Sequence, residues 1–450
     1  MSWPSRVIPI HTASRQTRPF STYLSLSQRT RFIPIIASVP RPPLPNNRKS
    51  IASRSISAPS RQPFYQPPRH RSQTLALPSS TMSSSDKDNL PKFLRAMETI
   101  YGPFPEPSDA NLAKWTPPPA AEGHRGRYLW TDGFAVVNFL TLYKLTGEER
   151  YLIFARNLVS TVHNILGYTR DGKSRLPGAT EEQPLNGGLR IGKLDESGPD
   201  GDGQYFHYLT VWMFALNRMT IVTGQKWYND QAVSMAKAIL PRFMTDMSST
   251  RPRMYWKLSM DLSRPLVKSE GNLDPIDGYV TYKLLQDTSD HCTALQEEIA
   301  ALKKIVDTKW KYYTSSDTLD LGMTLWTAHW LSAEEEWAAT ISRRAISCLE
   351  FLVQDGYFDE PPSRRLAFRE FGTALGIRAA MAAMDESEIA NDTTTAQFRA
   401  LPDRICKTWE DAGLVPEPTK QLQGRMAELM PITAVMYASA LIPGLMCRQS

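Results

Sequence analysis

Two stretches of the chain decide the fold: residues 130–166 (WTDGFAVVNFLTLYKLTGEERYLIFARNLVSTVHNIL) and residues 204–243 (QYFHYLTVWMFALNRMTIVTGQKWYNDQAVSMAKAILPRF). Each contains two apolar segments of helical length, separated by a short polar turn, TGEER in the first and TGQKW in the second. The two turns are 77 residues apart, and in both a Thr-Gly pair closes the first helix. Because glycine directly after a helix is a common left-handed C-cap, each stretch is predicted to be a helical hairpin.

The remaining helical segments also come in pairs. The segment 426–445 is left to pair with Leu90–Tyr101 at the other end of the sequence. Six hairpins whose last helix can meet the first predict an all-α (α/α)6 toroid, a single domain over residues 89–450, with an open α-solenoid as the alternative. The other predicted pairs are Pro275–Leu285 with Ala294–Trp310, Gly322–Leu331 with Ala333–Val353, and Ala367–Met384 with Thr395–Trp409.

The N-terminal segment has a different composition. Residues 1–85 contain eleven Arg, one Lys, thirteen Pro and no acidic residue. This composition predicts a disordered basic tail over residues 1–88 and is typical of a mitochondrial transit peptide. Met82 opens a sequence that could start a shorter form, for which a cytoplasmic location is expected.

Charge, cysteine spacing and hydropathy argue against several classes of protein. The first 85 residues contribute +12 to a net charge of +6, so the rest of the chain carries −6 and predicts no nucleic-acid surface. The four cysteines are far apart and form no C-x-x-C pair, which argues against a disulfide scaffold or a thiolate zinc site. The longest apolar run, Pro431–Met446, is short for a membrane span and is predicted to be a core helix.

Long connections between the hairpins, such as residues 167–203 and 244–274, are rich in Gly, Asp, Arg and Trp. In a toroid these connections emerge on one face, where they would form the mouth of a funnel. Acidic residues stand at the predicted starts of the first helices of the hairpins, and the simplest explanation for each is helix capping. Capping does not explain the aromatic and polar residues beside them. The carboxylates predicted to converge at the mouth as catalytic residues are Asp132, Asp202, Asp277 and Glu370.

The sequence DGDGQYFHYLT at residues 200–210 does not predict a metal site. Counted from Asp200, the sixth and twelfth positions hold Tyr205 and Val211, where an EF-hand needs Gly and Glu. A zinc site needs a second His or Cys at helical spacing from His207, and none is there. The sequence GGLRIGK at residues 187–193 lacks the Ser or Thr that follows Lys in a phosphate loop. We therefore expect no metal and no cofactor.

Carboxylates, amides and aromatic rings together are suited to polyhydroxylated ligands, so a small-molecule or oligosaccharide substrate is expected. Most aromatic residues at helical spacing belong to the core, but Tyr255 and Trp256 lie in a charged connection. Arg and Lys residues of that connection could form their own ion pairs or clamp an acidic sugar. The predicted substrate-binding residues are Trp130, Gln204, Tyr205, Arg190, Tyr255, Trp256 and Arg369.

His207 and Glu370 are the candidates for proton transfer. His207 lies one turn into its helix, where it would be either a core histidine or a general acid or base; His329 is a weaker candidate. Glu370 stands between two phenylalanines, and an apolar setting raises the pKa of a carboxyl group, as a general acid requires. An ion pair with Arg369 is the structural alternative.

Four segments resemble an uncharacterised group of bacterial and fungal proteins in the six-hairpin glycosidase superfamily. They are LWTDGFAVVNFLTLYKLTGEERYL, GGLRIGK, DGDGQYFHYLTVWMFAL and RMYWKLSMDLSRPLV, and the resemblance covers residues 125–445. The superfamily includes glycosidases, unsaturated glucuronyl hydrolases, polysaccharide lyases and epimerases. The resemblance implies a sugar-directed funnel and does not choose the reaction.

Three functions follow as hypotheses. The first is a glycoside hydrolase with Glu370 as acid and one of the three aspartates as base. The second is a sugar epimerase or isomerase, in which His207 or His329 moves a proton at carbon. The third is a toroid that binds a glycan or protein without catalysis, in which case no two carboxylates would approach each other in the funnel.

Overall fold

The computed structural model describes residues 82–119, 127–198, 201–383, 393–413, 415 and 429–448. The predicted transit peptide and most of the predicted tail lie outside these residues. The α-helices are α1 Ser84–Tyr101, α2 Leu129–Thr146, α3 Glu149–Leu166, α4 Phe206–Thr223, α5 Trp227–Phe243, α6 Asp274–Thr288, α7 Gln296–Lys309, α8 Thr318–Ala328, α9 Glu336–Gln354, α10 Ala367–Ala382, α11 Thr393–Asp411 and α12 Met430–Leu441.

The helices form six hairpins arranged in a closed ring. The hairpins are α2 with α3, α4 with α5, α6 with α7, α8 with α9, α10 with α11, and α12 with α1. The first helix of each pair also contacts the first helix of the next, from α2 through α4, α6, α8, α10 and α12 back to α2. This closure is the predicted (α/α)6 toroid and excludes the open solenoid.

Burial separates the inner helices from the outer ones. Helix α2 is buried on all sides from Leu129 to Leu142, as expected for a helix surrounded by others. Its partner α3 buries only one face, with buried residues that include Tyr151, Ala155 and Leu158 at helical spacing. Each outer helix returns the chain, so the inner helices run in the same direction and their N-termini share one end of the ring. We call this end the mouth.

Buried hydrogen bonds join the first inner helix to the last. The Nδ2 group of Asn138 donates to the carbonyl of Val435 at 3.1 Å, and the hydroxyl of Ser439 donates to Oδ1 of Asn138 at 2.9 Å. Just beyond α12, the backbone N–H of Leu445 donates to Oγ1 of Thr141 at 3.1 Å. The C-terminal segment thereby covers the end of the ring opposite the mouth.

The predicted glycine caps are confirmed. Gly147 follows α2 with φ 74° and Gly224 follows α4 with φ 68°, and each donates its N–H to the carbonyl four residues earlier. This left-handed conformation has no steric cost for glycine. The two turns therefore end the inner helices where the sequence predicts.

Two helix starts lie earlier than predicted. Helix α1 begins at Ser84 because the Ser83 side chain accepts the N–H of Asp86, so the domain starts before residue 89. Helix α8 begins at Thr318 because the carboxylate of Asp317 accepts the N–H groups of Leu319 and Asp320. The sequence pattern predicts that this helix begins at Gly322, four residues later. At α2, α4, α6 and α10 no side chain caps the N-terminus.

The long connections pair with each other at the mouth. Strand β1 (Gln204–Tyr205) precedes α4, and strands β2 (Lys257–Leu258) and β3 (Pro265–Val267) lie between α5 and α6. They form an antiparallel sheet in the order β1-β2-β3, with Gln204 opposite Leu258. The connection that contains Trp256 is thereby attached to the start of α4. Among the described helices, none has the length and apolar character needed to cross a membrane.

Glycines set the closest approach in the ring, between α8 and α10. A Cβ on Gly376 would lie 1.9 Å from the carbonyl oxygen of Gly322, and a Cβ on Gly322 would lie 2.3 Å from the carbonyl oxygen of Gly372. Both obstacles are backbone atoms, which cannot move aside as a flexible side chain can. The two helices are in contact because these positions have no side chain.

We expect Gly376→Ala to lower the free energy of unfolding by about 1–3 kcal/mol, because the methyl group would separate two packed backbones. Chemical denaturation measures this change. Ala382→Ser, at an exposed position of the same helix, is the control and should cost at most about 0.5 kcal/mol. Equal stability of Gly376→Ala and wild type would show that α8 and α10 do not pack at this distance.

Candidate functional site

The floor of the mouth consists of aromatic rings from opposite sides of the ring of helices. Trp326 of α8 lies 6.2 Å from Phe134 of α2 and 5.1 Å from Phe214 of α4, measured between ring centroids. Its indole N–H donates to the carbonyl of Met446 at 2.8 Å. The centre of the toroid is therefore closed by packed aromatic rings below the N-termini of the inner helices.

His207 and Asp274 meet at this end. His207 is in the first turn of α4 and Asp274 is the first residue of α6. Nδ1 of His207 lies 3.2 Å from Oδ1 of Asp274, although the two atoms do not align as a hydrogen bond. Such contacts are often loose before a substrate binds. A carboxylate beside Nδ1 favours the tautomer with its proton there, which leaves Nε2 as an acceptor.

Four aromatic rings surround His207. The centroid of its ring lies 4.9 Å from that of Tyr208, 5.3 Å from Tyr205 and 5.7 Å from Trp130. Trp256, from the connection before α6, lies nearly parallel to the imidazole at 6.2 Å and 21°. His207 nevertheless keeps 17% of its side chain exposed, and Nε2 has no hydrogen bond to the described residues.

Two further carboxylates lie near Asp274. Asp277 is three residues along α6, on the same face, and its Oδ1 accepts the Thr327 hydroxyl at 2.7 Å. Asp320, in the first turn of α8, accepts the Asn272 amide at 2.8 Å and the Tyr313 hydroxyl at 2.9 Å. Among the described residues, neither carboxylate forms an ion pair.

Burial and like charge shift the pKa of Asp277. Burial raises the pKa well above its usual range, and the charges of Asp274 and Asp320 raise it further against the hydrogen bond from Thr327. Burial also raises the pKa of Asp320, while hydrogen bonds that include the one from Tyr313 oppose the change. This end of α6 therefore favours a protonated Asp277 beside other acidic groups.

Polar atoms at this site lack partners. The indole N–H of Trp130 and Oδ2 of Asp274 are buried and take no hydrogen bond within the described part of the chain. Buried polar groups in proteins are nearly always satisfied by protein or water. Both atoms belong to residues that lie beside His207.

Asp132, predicted to be catalytic, is in a buried ion pair instead. Its Oδ1 lies 2.7 Å from Nε of Arg127 and accepts the hydroxyl of Tyr101 at 2.8 Å. Tyr101 is the last residue of α1, so the carboxylate joins the start of α2 to the end of α1.

Asp202, also predicted to be catalytic, organises the connection before α4. Its Oδ2 lies 2.6 Å from Arg190 and 3.0 Å from Arg170, and Oδ1 accepts backbone N–H groups that include those of Gly192 and Gly203. The side chain is fully buried. Both of its carboxylate oxygens are therefore occupied by groups of the same connection.

Glu370 is buried on the outer side of α10. Its Oε2 lies 2.8 Å from Arg365 and accepts the indole N–H of Trp409, on the outer helix α11, at 2.9 Å. Burial raises the pKa of Glu370, as its apolar setting predicts, and Arg365 opposes this. The predicted pairing of Glu370 with Arg369 is wrong: Arg369 pairs with Asp317, the cap of α8.

The other predicted substrate-binding residues have different surroundings. Gln204 is a clamp between loops, since its amide accepts the N–H of Leu189 and donates to the carbonyls of Gly187 and Met260. The guanidinium group of Arg190 donates its hydrogen bonds to Asp202 and to backbone carbonyls. Those that border the His207 site are Trp130, Tyr205 and Trp256. Tyr255 is half-buried, and its N–H bonds the carbonyl of Phe243.

The sequence contains a local signal for two of these ion pairs. Arg127 precedes Asp132 by five residues, and Arg365 precedes Glu370 by the same five. In both, the arginine precedes the helix and the acid is in its first turn. Asp274 was missed as a site residue because sequence spacing along α6 cannot show that His207 of another helix meets it.

His329 lies at the end of α8, away from the mouth. Nδ1 contacts the carbonyl of Trp326, and Nε2 accepts the backbone N–H of Arg448 at 3.1 Å. Burial lowers its pKa to about 4. Both ring nitrogens hold the backbone, so His329 anchors the C-terminal segment and does not face the site. The described residues contain no cluster of three or more His, Cys, Asp or Glu side chains that could hold a metal ion.

Comparisons with known proteins find similar structures of low sequence identity. An α-1,6-mannanase from Salegentibacter matches with a TM-score of 0.48 and 12% identity, over 79% of this chain and 98% of the mannanase. A family 76 glycoside hydrolase from Bacteroides thetaiotaomicron matches with a TM-score of 0.48 and 11% identity, over 78% and 77% of the two chains. A cellobiose 2-epimerase from Bacillus thermoamylovorans matches with a TM-score of 0.44 and 10% identity, over 78% and 99%. No family model and no curated protein matches the sequence.

We expect Asp202→Asn to lower the free energy of unfolding by about 3–5 kcal/mol, because it leaves two arginines beside a neutral group in a buried setting. Urea denaturation measures the change. Asp171→Asn, which removes the exposed partner of Lys173, is the matched control and should leave stability almost unchanged. A small effect at Asp202 would mean that water screens its arginines.

Asp277→Asn should change how stability depends on pH. The raised pKa means that the folded protein holds this proton more tightly than the unfolded chain. The stabilisation is complete below the ordinary aspartate pKa of about 4 and is lost as the pH rises through the folded value. The difference in Tm, variant minus wild type, should therefore become more positive as the pH rises above about 4.

Asp261→Asn is the opposite control in the same scan. Hydrogen bonds from Ser259 and Ser263 lower the pKa of Asp261, so its contribution is present above about pH 4 and is lost as the pH falls. For this variant the Tm difference should become more negative as the pH rises. If the Tm differences of the two variants changed with pH in the same direction, the environment assigned to Asp277 would be contradicted.

Proposed function

We propose that this protein is a carbohydrate-active enzyme, a glycoside hydrolase whose reaction takes place at the N-termini of α4 and α6. The observation that carries the proposal is the group formed by His207, Asp274 and Asp277 under a set of aromatic rings. It joins a carboxyl group with a raised pKa to a histidine whose outer nitrogen is open. The expected substrate is an oligosaccharide or glycoside.

Asp277 is the proposed general acid. Glycoside cleavage needs a protonated carboxyl group to donate to the leaving oxygen. The surroundings of Asp277 raise its pKa, which favours the protonated form that a general acid needs. This residue replaces Glu370 in the acid role, since Glu370 is held by Arg365 and Trp409 on the outer side of α10.

His207 is the proposed base that activates water. Asp274 acts through it as a positioning residue: the carboxylate beside Nδ1 fixes the orientation of the ring and stabilises the imidazolium that forms when Nε2 takes a proton. The acid and the base come from neighbouring inner helices. Water and substrate can then occupy the space between them.

The aromatic rings supply the sugar-binding surface. Trp130 and Trp256 border His207 on different sides, and their faces suit the apolar faces of sugar rings. The unpaired indole N–H of Trp130 can donate to a sugar hydroxyl once the ring adjusts. The site therefore combines an apolar face with polar atoms that lack partners, as ligand sites do.

A sugar isomerase or epimerase is the second candidate, and the open Nε2 of His207 favours it. In that reaction the histidine removes a proton from carbon and returns it, and no water is consumed. The remaining alternative, a toroid that only binds, predicted a funnel without neighbouring carboxylates. Asp274 and Asp277 are one turn apart on one helix face, with Cβ atoms roughly 5–6 Å from each other.

We expect His207→Gln and Asp277→Asn each to lower kcat by about 10²- to 10⁴-fold on a responsive glycoside, because each removes a proton-transfer group. The substrate is found by incubating the full chain with a panel of oligosaccharides and separating the products by mass. Hydrolysis adds one water to the substrate, whereas isomerisation leaves the mass unchanged and exchanges a carbon-bound proton with deuterated solvent.

Asp287→Asn, an exposed carboxylate farther along α6, is the matched control and should keep full activity. The Tm of each variant separates loss of chemistry from loss of fold. Turnover that persists in both His207→Gln and Asp277→Asn would refute the site assignment. A panel without any product and without binding would refute the enzyme proposal itself.

A further inference from the structure

A cavity of about 370 Å³ lies at the end of the ring opposite the mouth. It is formed by the C-terminal half of α10, the middle of α11 and Pro443, which follows α12. None of the residues proposed to act at the mouth lines it. Its size is within the range of small-molecule sites.

The lining combines two cations with an apolar wall. Arg378 of α10 and Arg399 of α11 supply the guanidinium groups. Most of the remaining lining is apolar and consists of Ile377, Met381, Pro402 and Pro443. A ligand that fills the cavity would place a negative group between the arginines and an apolar part against the wall.

The two arginines are only partly neutralised. Arg378 donates to Oδ1 of Asp403 at 2.6 Å through Nη2, but its Nε is buried and has no partner within the described residues. Arg399 is exposed and forms no ion pair with any described carboxylate. Asp403 itself is 77% exposed, so it faces solvent at the rim.

We propose that this cavity binds a small organic anion, a carboxylate or a phosphate monoester that carries a short alkyl chain. Guanidinium groups present forked N–H donors that match the oxygens of both anions. The guanidinium groups of Arg378 and of Arg399, which forms no ion pair with a described carboxylate, are the donors for the anion. The alkyl chain packs on Met381, which is partly exposed, and on the edge of Pro402 that lines the cavity.

Calorimetric titration of the full chain tests this site with n-butyl phosphate and with pentanoate, which have similar chains and different headgroups. Saturable binding of at least one of them is the expected result, and the tighter of the two identifies the headgroup. n-Butanol, which lacks the charge, should not bind. Failure of both anions at millimolar concentration, or equal binding of n-butanol, would overturn the proposal.

Variants connect the binding to the cavity. Arg399→Gln, at an exposed position that the fold does not need, should weaken binding by about tenfold or more, because a charge-assisted hydrogen bond is lost. Asp403→Asn should strengthen it, because a competing carboxylate is removed. Arg404→Gln is the matched control: Arg404 is on the same helix, pairs with Asp359 and does not line the cavity. Affinities that fall equally in Arg399→Gln and Arg404→Gln would also overturn the assignment.

Discussion

The structure depends on one constraint: the first inner helix must meet the last. Asn138 of α2 and Ser439 of α12 are 301 residues apart in the chain, and their side chains bond inside the core. A buried amide left without partners is costly, so these hydrogen bonds favour the closed ring over an open array of hairpins. The outer helices bring the N-termini of the inner helices to one end, and closure arranges them around one centre. The convergence of His207, Asp274 and Asp277 follows from it.

Carboxylates at that end have two different environments. Asp132, Asp202 and Glu370 each face an arginine and fix the start of an inner helix or the loop before it. Asp277 and Asp320 have hydroxyl and amide neighbours and no described cation. Arginine partners make a carboxylate structural because they satisfy its charge. Where no arginine is present, the negative charge of the carboxylate is not neutralised. It then acts on the neighbouring carboxylates and on any ligand that binds beside them.

The sequence predicted the architecture better than the site. Thr-Gly turns and apolar periodicity are local features, and they correctly predicted all six hairpins. The site depends on contacts between helices, which no local pattern records. Asp274 meets His207 through the packing of α4 against α6, which spacing along one helix cannot indicate. The ion pairs of Asp132 and Glu370 involve arginines only five residues earlier in the chain, so a local feature of the sequence does indicate them.

Helix α1 shares a hairpin with α12, although almost the whole domain separates them in the chain. During synthesis, Phe93, Met97 and Tyr101 leave the ribosome early, and their buried positions are complete only when α12 has been made. Contacts between distant segments are slow to form because the loop between them must first be closed. Nascent chains therefore expose the apolar face of α1 until α12 has been made, and an exposed apolar face of this kind favours aggregation.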